Sequence, residues 1–231
     1  MCGRKTLTKN IADIIDEMNI ECWDENAYEP NYNIAPSQHS NVIIQQKDKI
    51  TLKRMQWGLI PEWSSSSSNS HRMINARAET ILEKPSFKNL IQKNRCLVLA
   101  DGYYEWDQKT SQPYYIFQPK NKIIAMAGLW TKWSQSSSEN LFTYTIITTN
   151  SIKKLSNIHS RMPSIISKNS IKNWLDYKNT NISNLLTELQ NHKPKLEFYP
   201  VSKLVNSINN NSSNCTKPIK FRKTINIFSN K

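Results

Sequence analysis

The sequence predicts an α+β fold: a single domain with a mixed, largely antiparallel, barrel-like β core flanked by short helices. Three observations carry this. Strand-like runs outnumber helical patterns, and the two do not alternate as a doubly wound parallel sheet requires. Nothing before residue 206 has the composition of an interdomain linker. At 231 residues the chain is long enough to bury one sizeable core.

The elements follow in order. Ile11, Ile14, Ile15 and Met18 recur at helical spacing, which predicts an amphipathic helix over 8–19 with Thr8 as its cap. Strands are expected at 41–46, 50–57, 95–101, 113–118, 123–130 and 142–149, the last β-branched or aromatic throughout. Helical patterns recur at 86–93, 167–176 and 183–190. Serine runs at 64–68 and 134–138 read as solvated loops. The Asn/Ser-rich stretch 206–214 and the lysines after it read as a mobile tail. The domain is drawn at 1–219, with 220–231 a basic, mobile extension.

The net charge of +13, with seven Trp, nine Tyr and six Phe interleaved, suits single-stranded nucleic acid, where bases stack and phosphates need cations. An AT-rich coding sequence also raises Lys and Asn, so charge alone decides little. Cys2, Cys22, Cys96 and Cys215 have no paired short spacing, which excludes a zinc motif and a disulfide framework. Cys96, in an apolar run, reads as a buried, inert thiol. The sequence has neither a signal-peptide h-region nor an 18-residue apolar run. These features predict a reduced, cytoplasmic, monomeric protein without metal or cofactor and without a membrane partner.

Cys2 is the residue with distinctive chemistry. It is small enough for the initiator methionine to be removed, which would leave a free α-amine beside the thiol. Such a 1,2-aminothiol condenses with an aldehyde to an iminium, and the sulfur then closes a five-membered thiazolidine. Both groups titrate near neutrality, at about 7.7–8.0 for the amine and about 8.5 for the thiol. Either is therefore readily made nucleophilic.

The chain has four glycines, Gly3, Gly58, Gly102 and Gly128, and three lie beside aromatic-rich turns after apolar strands, where a sheet presents a site. Four segments stand out: MCGR at 1–4, INARAET at 74–80, ADGYYEW at 100–106 and IHSRMP at 158–163. With NYNIAPSQ at 31–38, WGLIPEW at 57–63, AGLW at 127–130 and YPVS at 199–202, the pattern resembles the SOS-response-associated peptidase family over nearly the whole chain.

That resemblance implies an abasic-site processing activity on single-stranded DNA. The ring-opened abasic sugar presents a C1′ aldehyde, the Cys2 amine forms a Schiff base there, and the thiol closes a thiazolidine that crosslinks protein to DNA. Lyase activity and self-processing peptidase activity are also associated with the family. Glu105 is implied as general acid/base, a task that favours a raised carboxylate pKa. His159 would move protons at the sugar oxygen and Schiff base. Asn75 would orient the amine or the sugar. Arg4, Arg77 and Arg161 would clamp flanking phosphates. Trp106 and Trp57 would stack on bases, with a core position the alternative for each. Pro36 would act as an apolar wedge at the DNA junction. Two rival functions fit parts of the sequence. A cysteine peptidase could use Cys2 and His159 with Glu105 or Asn75. A non-catalytic single-strand binding module would leave those four residues unexplained.

Overall fold

The computed structural model describes residues 2–23, 28–66, 73–134 and 140–219. The expected tail at 220–231 lies outside them, as do most of the second serine run and part of the first.

The strands form two sheets. One has the order β12 (Glu197–Pro200), β8 (Pro113–Phe117), β7 (Gly102–Trp106), β1 (Lys5–Leu7) and β2 (Asn31–Ile34), all antiparallel. The other runs β11 (Arg161–Pro163), β10 (Leu141–Asn150), β4 (Lys49–Trp57), β3 (His39–Gln46), β6 (Arg95–Ala100) and β9 (Ile124–Trp133). There β9 pairs back onto β10, so the strands from β4 to β10 close into a ring. Two pairings are parallel, β10 with β4 and β10 with the short β5 (Asn75–Arg77). The α+β single domain is therefore as the sequence predicts. The core is two sheets joined at Asp101, one of them ring-closed, instead of one barrel.

The long strands form where β-branched and aromatic residues concentrate: β3, β4, β6, β8, β9 and β10 each fall on an expected run, within three residues at either end. β6 is buried along its whole length because β3 and β9 flank it and helices cover it. The helices α1 (Ile11–Met18) and α4 (Ile182–Asn191) also sit where expected, with Ile14 and Met18 of the first and Ile182, Leu185, Leu186 and Leu189 of the second buried. The cap of α1 differs from the expectation. Asn10 Oδ1 accepts the Ala12 N–H at 2.8 Å, while Thr8 Oγ1 donates to Asp101 Oδ2 at 2.8 Å and so ties β1 to the β6–β7 turn. The patterns at 86–93 and 167–176 shorten to α2 (Leu90–Lys93) and α3 (Ile171–Leu175).

The 206–219 stretch is not a mobile tail. Asn33 Nδ2 donates to Ser207 O and Asn210 O, and Asn211 Oδ1 accepts from the Tyr32 N–H. Cys215 is fully buried, and Ile219 N donates to Pro200 O. Asparagine side chains read as solvated in sequence are here cross-links to β2 and β12.

Candidate active site

The site gathers at the start of β1, where four distant segments meet. Cys2 just precedes β1 and is 0% exposed. Asn75 opens β5, held against Ile146 of β10, and its Nδ2 donates to Cys2 O at 2.9 Å. β7 pairs with β1 through Lys5 and Tyr103, which brings Tyr103 and Glu105, two residues apart and on one face of β7, toward Cys2. His159 follows the turn at Leu155, whose carbonyl accepts the His159 N–H at 3.1 Å. Tyr103, Glu105, Ser151, His159 and Arg161 line one small cavity.

Backbone geometry fixes these positions. Gly102 faces the Tyr115 ring so closely that a Cβ there would lie 2.4 Å from it, so only glycine lets β7 pack at this point. Gly58 has φ 124°, a left-handed conformation that turns the chain out of β4 while its N–H stays bonded to Tyr144 O at 2.8 Å.

Electrostatics follow from burial. Burial, and secondarily the Glu105 charge, push the Cys2 thiol up to about 12. Burial also raises Glu105 above the usual carboxylate range, which favours a protonated acid. Tyr103 is pushed well up by burial, then by Cys2 and Glu105. His159 is lowered, mainly by burial, and its Nδ1 accepts the Arg161 N–H at 2.9 Å. In the neutral ring the proton therefore sits on Nε2. Asn75 Oδ1, Tyr103 Oη and Ser151 Oγ are buried without a hydrogen-bond partner in the protein. Buried polar atoms are nearly always paired, so three orphans around one cavity mark it as a place where another molecule's polar groups fit.

The arginines divide. Arg77, at the end of β5, is exposed. The Arg161 fork is held by Glu79 in two bonds of 2.7 and 2.9 Å, and also by Asn150 Oδ1 and Thr148 O. Arg4 Nη1 donates to Asn33 Oδ1 and Val205 O, and its guanidinium lies 6.0 Å from the centre of the Trp106 ring. Arg4 thus also pins the 206–219 segment. Trp106 is half-buried, with Nε1 bonded to Asn206 Oδ1 at 2.9 Å. Trp57 takes its core alternative. It is 0% exposed, stacks on Tyr144 and donates from Nε1 to Ile74 O at 3.0 Å, so no face is open to a base. Pro36 is half-buried in a tight turn closed by Gln38 N on Ala35 O, with Ser37 at φ 70°.

Three residues at the site are not singled out by sequence reasoning. Lys5 is 0% exposed, its Nζ donating to Ser40 Oγ at 2.5 Å and Leu99 O at 2.9 Å. In sequence it stands in an ordinary basic stretch beside Arg4. Glu79 falls within the INARAET motif without an implied role, and Tyr103 reads as one more strand aromatic.

Cys2, Asn75, Glu105 and His159, set on these two sheets, define a class. The chain belongs to the SOS response associated peptidase (SRAP) family, whose sequence model matches residues 1–208. It is similar to the abasic site processing protein YoqW of Bacillus subtilis (strain 168), at 43% identity over 92% of this chain and 97% of the relative. It is also similar to the abasic site processing protein HMCES of Rattus norvegicus, at 33% identity over 94% of this chain and 76% of that protein. A solved structure of a protein from Bacteroides thetaiotaomicron superimposes with a TM-score of 0.80 and 25% identity, covering 95% of this chain and all of that one.

Proposed function

We propose that this protein processes abasic sites in single-stranded DNA by crosslinking to them through Cys2. Removal of Met1 would free the α-amine, which attacks the C1′ aldehyde of the opened sugar and expels water to give an iminium. The Cys2 sulfur then adds to the iminium carbon and closes the thiazolidine, with loss of the thiol proton. The crosslink would shield the lesion, and the protein would act as a cytoplasmic monomer on the nucleoid.

The observation that carries this reading is the convergence of Cys2, Asn75, Glu105 and His159 from four segments onto one buried point. Burial keeps the thiol protonated at rest, so the amine reacts first and the sulfur second. Glu105, protonated more readily than an ordinary glutamate, supplies a proton to the departing hydroxyl and takes one back. Asn75 fixes the Cys2 carbonyl and hence the direction of the amine. His159 offers Nε2–H to the sugar oxygen. Arg77 and Trp106 would hold the strand by phosphate and base, with Arg4, Arg161 and Pro36 shaping its path.

One denaturing gel tests the reading against its two rivals. Abasic single-stranded DNA should give a heat-stable shifted band with the wild type and none with Cys2→Ala, while a peptide library stays intact. Peptide cleavage without a DNA band would establish a cysteine peptidase. Binding to intact and abasic strands alike, with no heat-stable band, would establish a simple binding module.

A further inference from the structure

The catalytic scheme leaves one interior group without a part, the Lys5 ammonium. Its side chain enters the space between the two sheets, where Ser40 of β3 and Leu99 of β6 receive it, and both are neutral acceptors. A lysine charge taken wholly out of water is costly unless an anion accompanies it. Among the described residues no salt bridge is made to Lys5. The acidic groups that act on it are Cys2, first, and Asp101. Asp101 Oδ2 is already taken by the backbone N–H and hydroxyl of Thr8. That leaves the Cys2 sulfur, three residues away and equally buried, as the anion that fits.

We propose that Lys5 is the built-in proton acceptor of Cys2: the thiol becomes a nucleophile by transferring its proton to the Lys5 amine. The S–H bond breaks and an N–H bond forms, so the interior gains an ion pair and no net charge. On the abasic-site reading, on which this step rests, the thiolate pair then adds to the iminium carbon and the C=N electrons return to nitrogen. Lys5 keeps the proton until the site opens. Lys5 touches no substrate and acts through Cys2, so it is a positioning residue.

Two further features support the assignment. Burial lowers the Lys5 ammonium to about 7, so near neutral pH the amine is available as a base. Every other group facing the pair is unsuited to the task. Glu105, from β7, opposes thiolate formation by its charge. The Tyr103 and Tyr144 hydroxyls are held protonated by burial. The chain's terminal ammonium and the Arg4 N–H favour thiolate but cannot take its proton while charged or amide-bound.

The test needs no DNA. Cys2 modification by methyl methanethiosulfonate is followed by mass spectrometry of the N-terminal peptide at several pH values either side of neutrality. The wild-type rate should climb as Lys5 loses its proton. Lys5→Met removes the amine, and Lys5→Gln keeps an N–H donor for Ser40 and Leu99 but cannot accept a proton. Both should lose that climb and react about tenfold more slowly at mildly alkaline pH, the lower end of what a close counter-charge does to a pKa. Crosslinking of abasic DNA should slow in parallel. Unchanged pH profiles in both variants would overturn the proposal, as would a uniform slowing at all pH values in step with a lower melting temperature. A wild type with the expected profile that never crosslinks DNA would refute the functional reading and leave the Lys5–Cys2 pairing standing.

Discussion

Two regions of this molecule bury a cation, and they do so in opposite ways. Arg95, 3% exposed at the start of β6, donates to five carbonyl oxygens, those of Ile91, Gln92, Trp174, Asp176 and Asn179, and lies 5.8 Å from the centre of the Trp174 ring. Its N–H groups and acceptors match in number, so the fork works as a bracket between α2, β6 and the end of α3. Lys5, 0% exposed, has two neutral acceptors and lies in a region where Asn75 Oδ1 and Tyr103 Oη have none. Scaffold and chemistry can thus be told apart within buried polar clusters. Complete satisfaction rigidifies a fold, whereas incomplete satisfaction beside a nucleophile leaves groups able to exchange protons with a substrate.

The largest divergence between the two regions is expected at Glu105. Glu105→Gln should slow single-turnover crosslinking by about 10²–10⁴-fold, the usual scale of general acid–base catalysis. Folding stability at neutral pH should hold or rise, because a buried carboxylate is replaced by a neutral isostere. Wild-type crosslinking rates in that variant would remove Glu105 from the chemistry.

At Arg95 the expected signature is reversed. Arg95→Met leaves several buried carbonyls without a donor, at about 1–3 kcal/mol each. Chemical denaturation should register a loss of several kcal/mol, while crosslinking per folded molecule stays at the wild-type level. A variant that is stable but slow would place Arg95 in the mechanism.

Lys5 and Arg95 should also part in their response to pH. The folded-state pKa of Lys5, about 7, lies below the ordinary 10.5 of the unfolded chain. Between those values the unfolded state binds one more proton, so stability contributed through this group rises with pH across that window. Below it the full cost of a buried ammonium is present, and above it the cost is gone. The slope difference between wild type and Lys5→Met should approach about 1.4 kcal/mol per pH unit there. Arg95, which stays charged throughout, should give no such difference. Equal slopes for wild type and Lys5→Met would show that Lys5 does not change protonation on unfolding in this range.

The smallest expected effect lies at the rim. Reversing exposed Arg77 should lower the log–log salt dependence of single-strand binding by about 0.7 for each phosphate it no longer neutralises. Arg161, whose fork is already filled by Glu79, Asn150 and Thr148, should perturb His159 more than it perturbs the salt slope. A full phosphate-sized drop for Arg161→Glu, with crosslinking rate unchanged, would instead mean that Glu79 yields its place to DNA.

The same two regions mark what can be read without a structure. The long strands are legible because β-branched and aromatic runs leave a local trace, as at Phe142 to Thr149. The strands β1, β2, β5, β7, β11 and β12 are not, being three to five residues each and made by pairing with distant partners. The identities of Cys2, Asn75, Glu105 and His159 are legible through their motifs, and the structure brings them together. The burial of Trp57 and Lys5 is not, since a tryptophan beside a turn and a lysine in a basic stretch look the same whether they face water or core. The anchoring of 206–219 is hidden for the same reason: asparagine-rich sequence reads as loop, and only Asn33 and Arg4, far away in the chain, reveal what holds it.

Everything proposed for the site depends on an N-terminal Cys2 whose amine and thiol together form the covalent product. Intact-mass analysis of the product with abasic single-stranded DNA tests this, comparing protein with Met1 removed against protein that retains Met1 or carries any residue ahead of Cys2. A heat-stable adduct, its mass showing loss of one water, is expected only in the first. Cys2→Ala with a free terminus should give a Schiff base trapped by borohydride but no heat-stable adduct. An undiminished heat-stable adduct on a protein shown by mass to keep Met1 would contradict the thiazolidine chemistry outright.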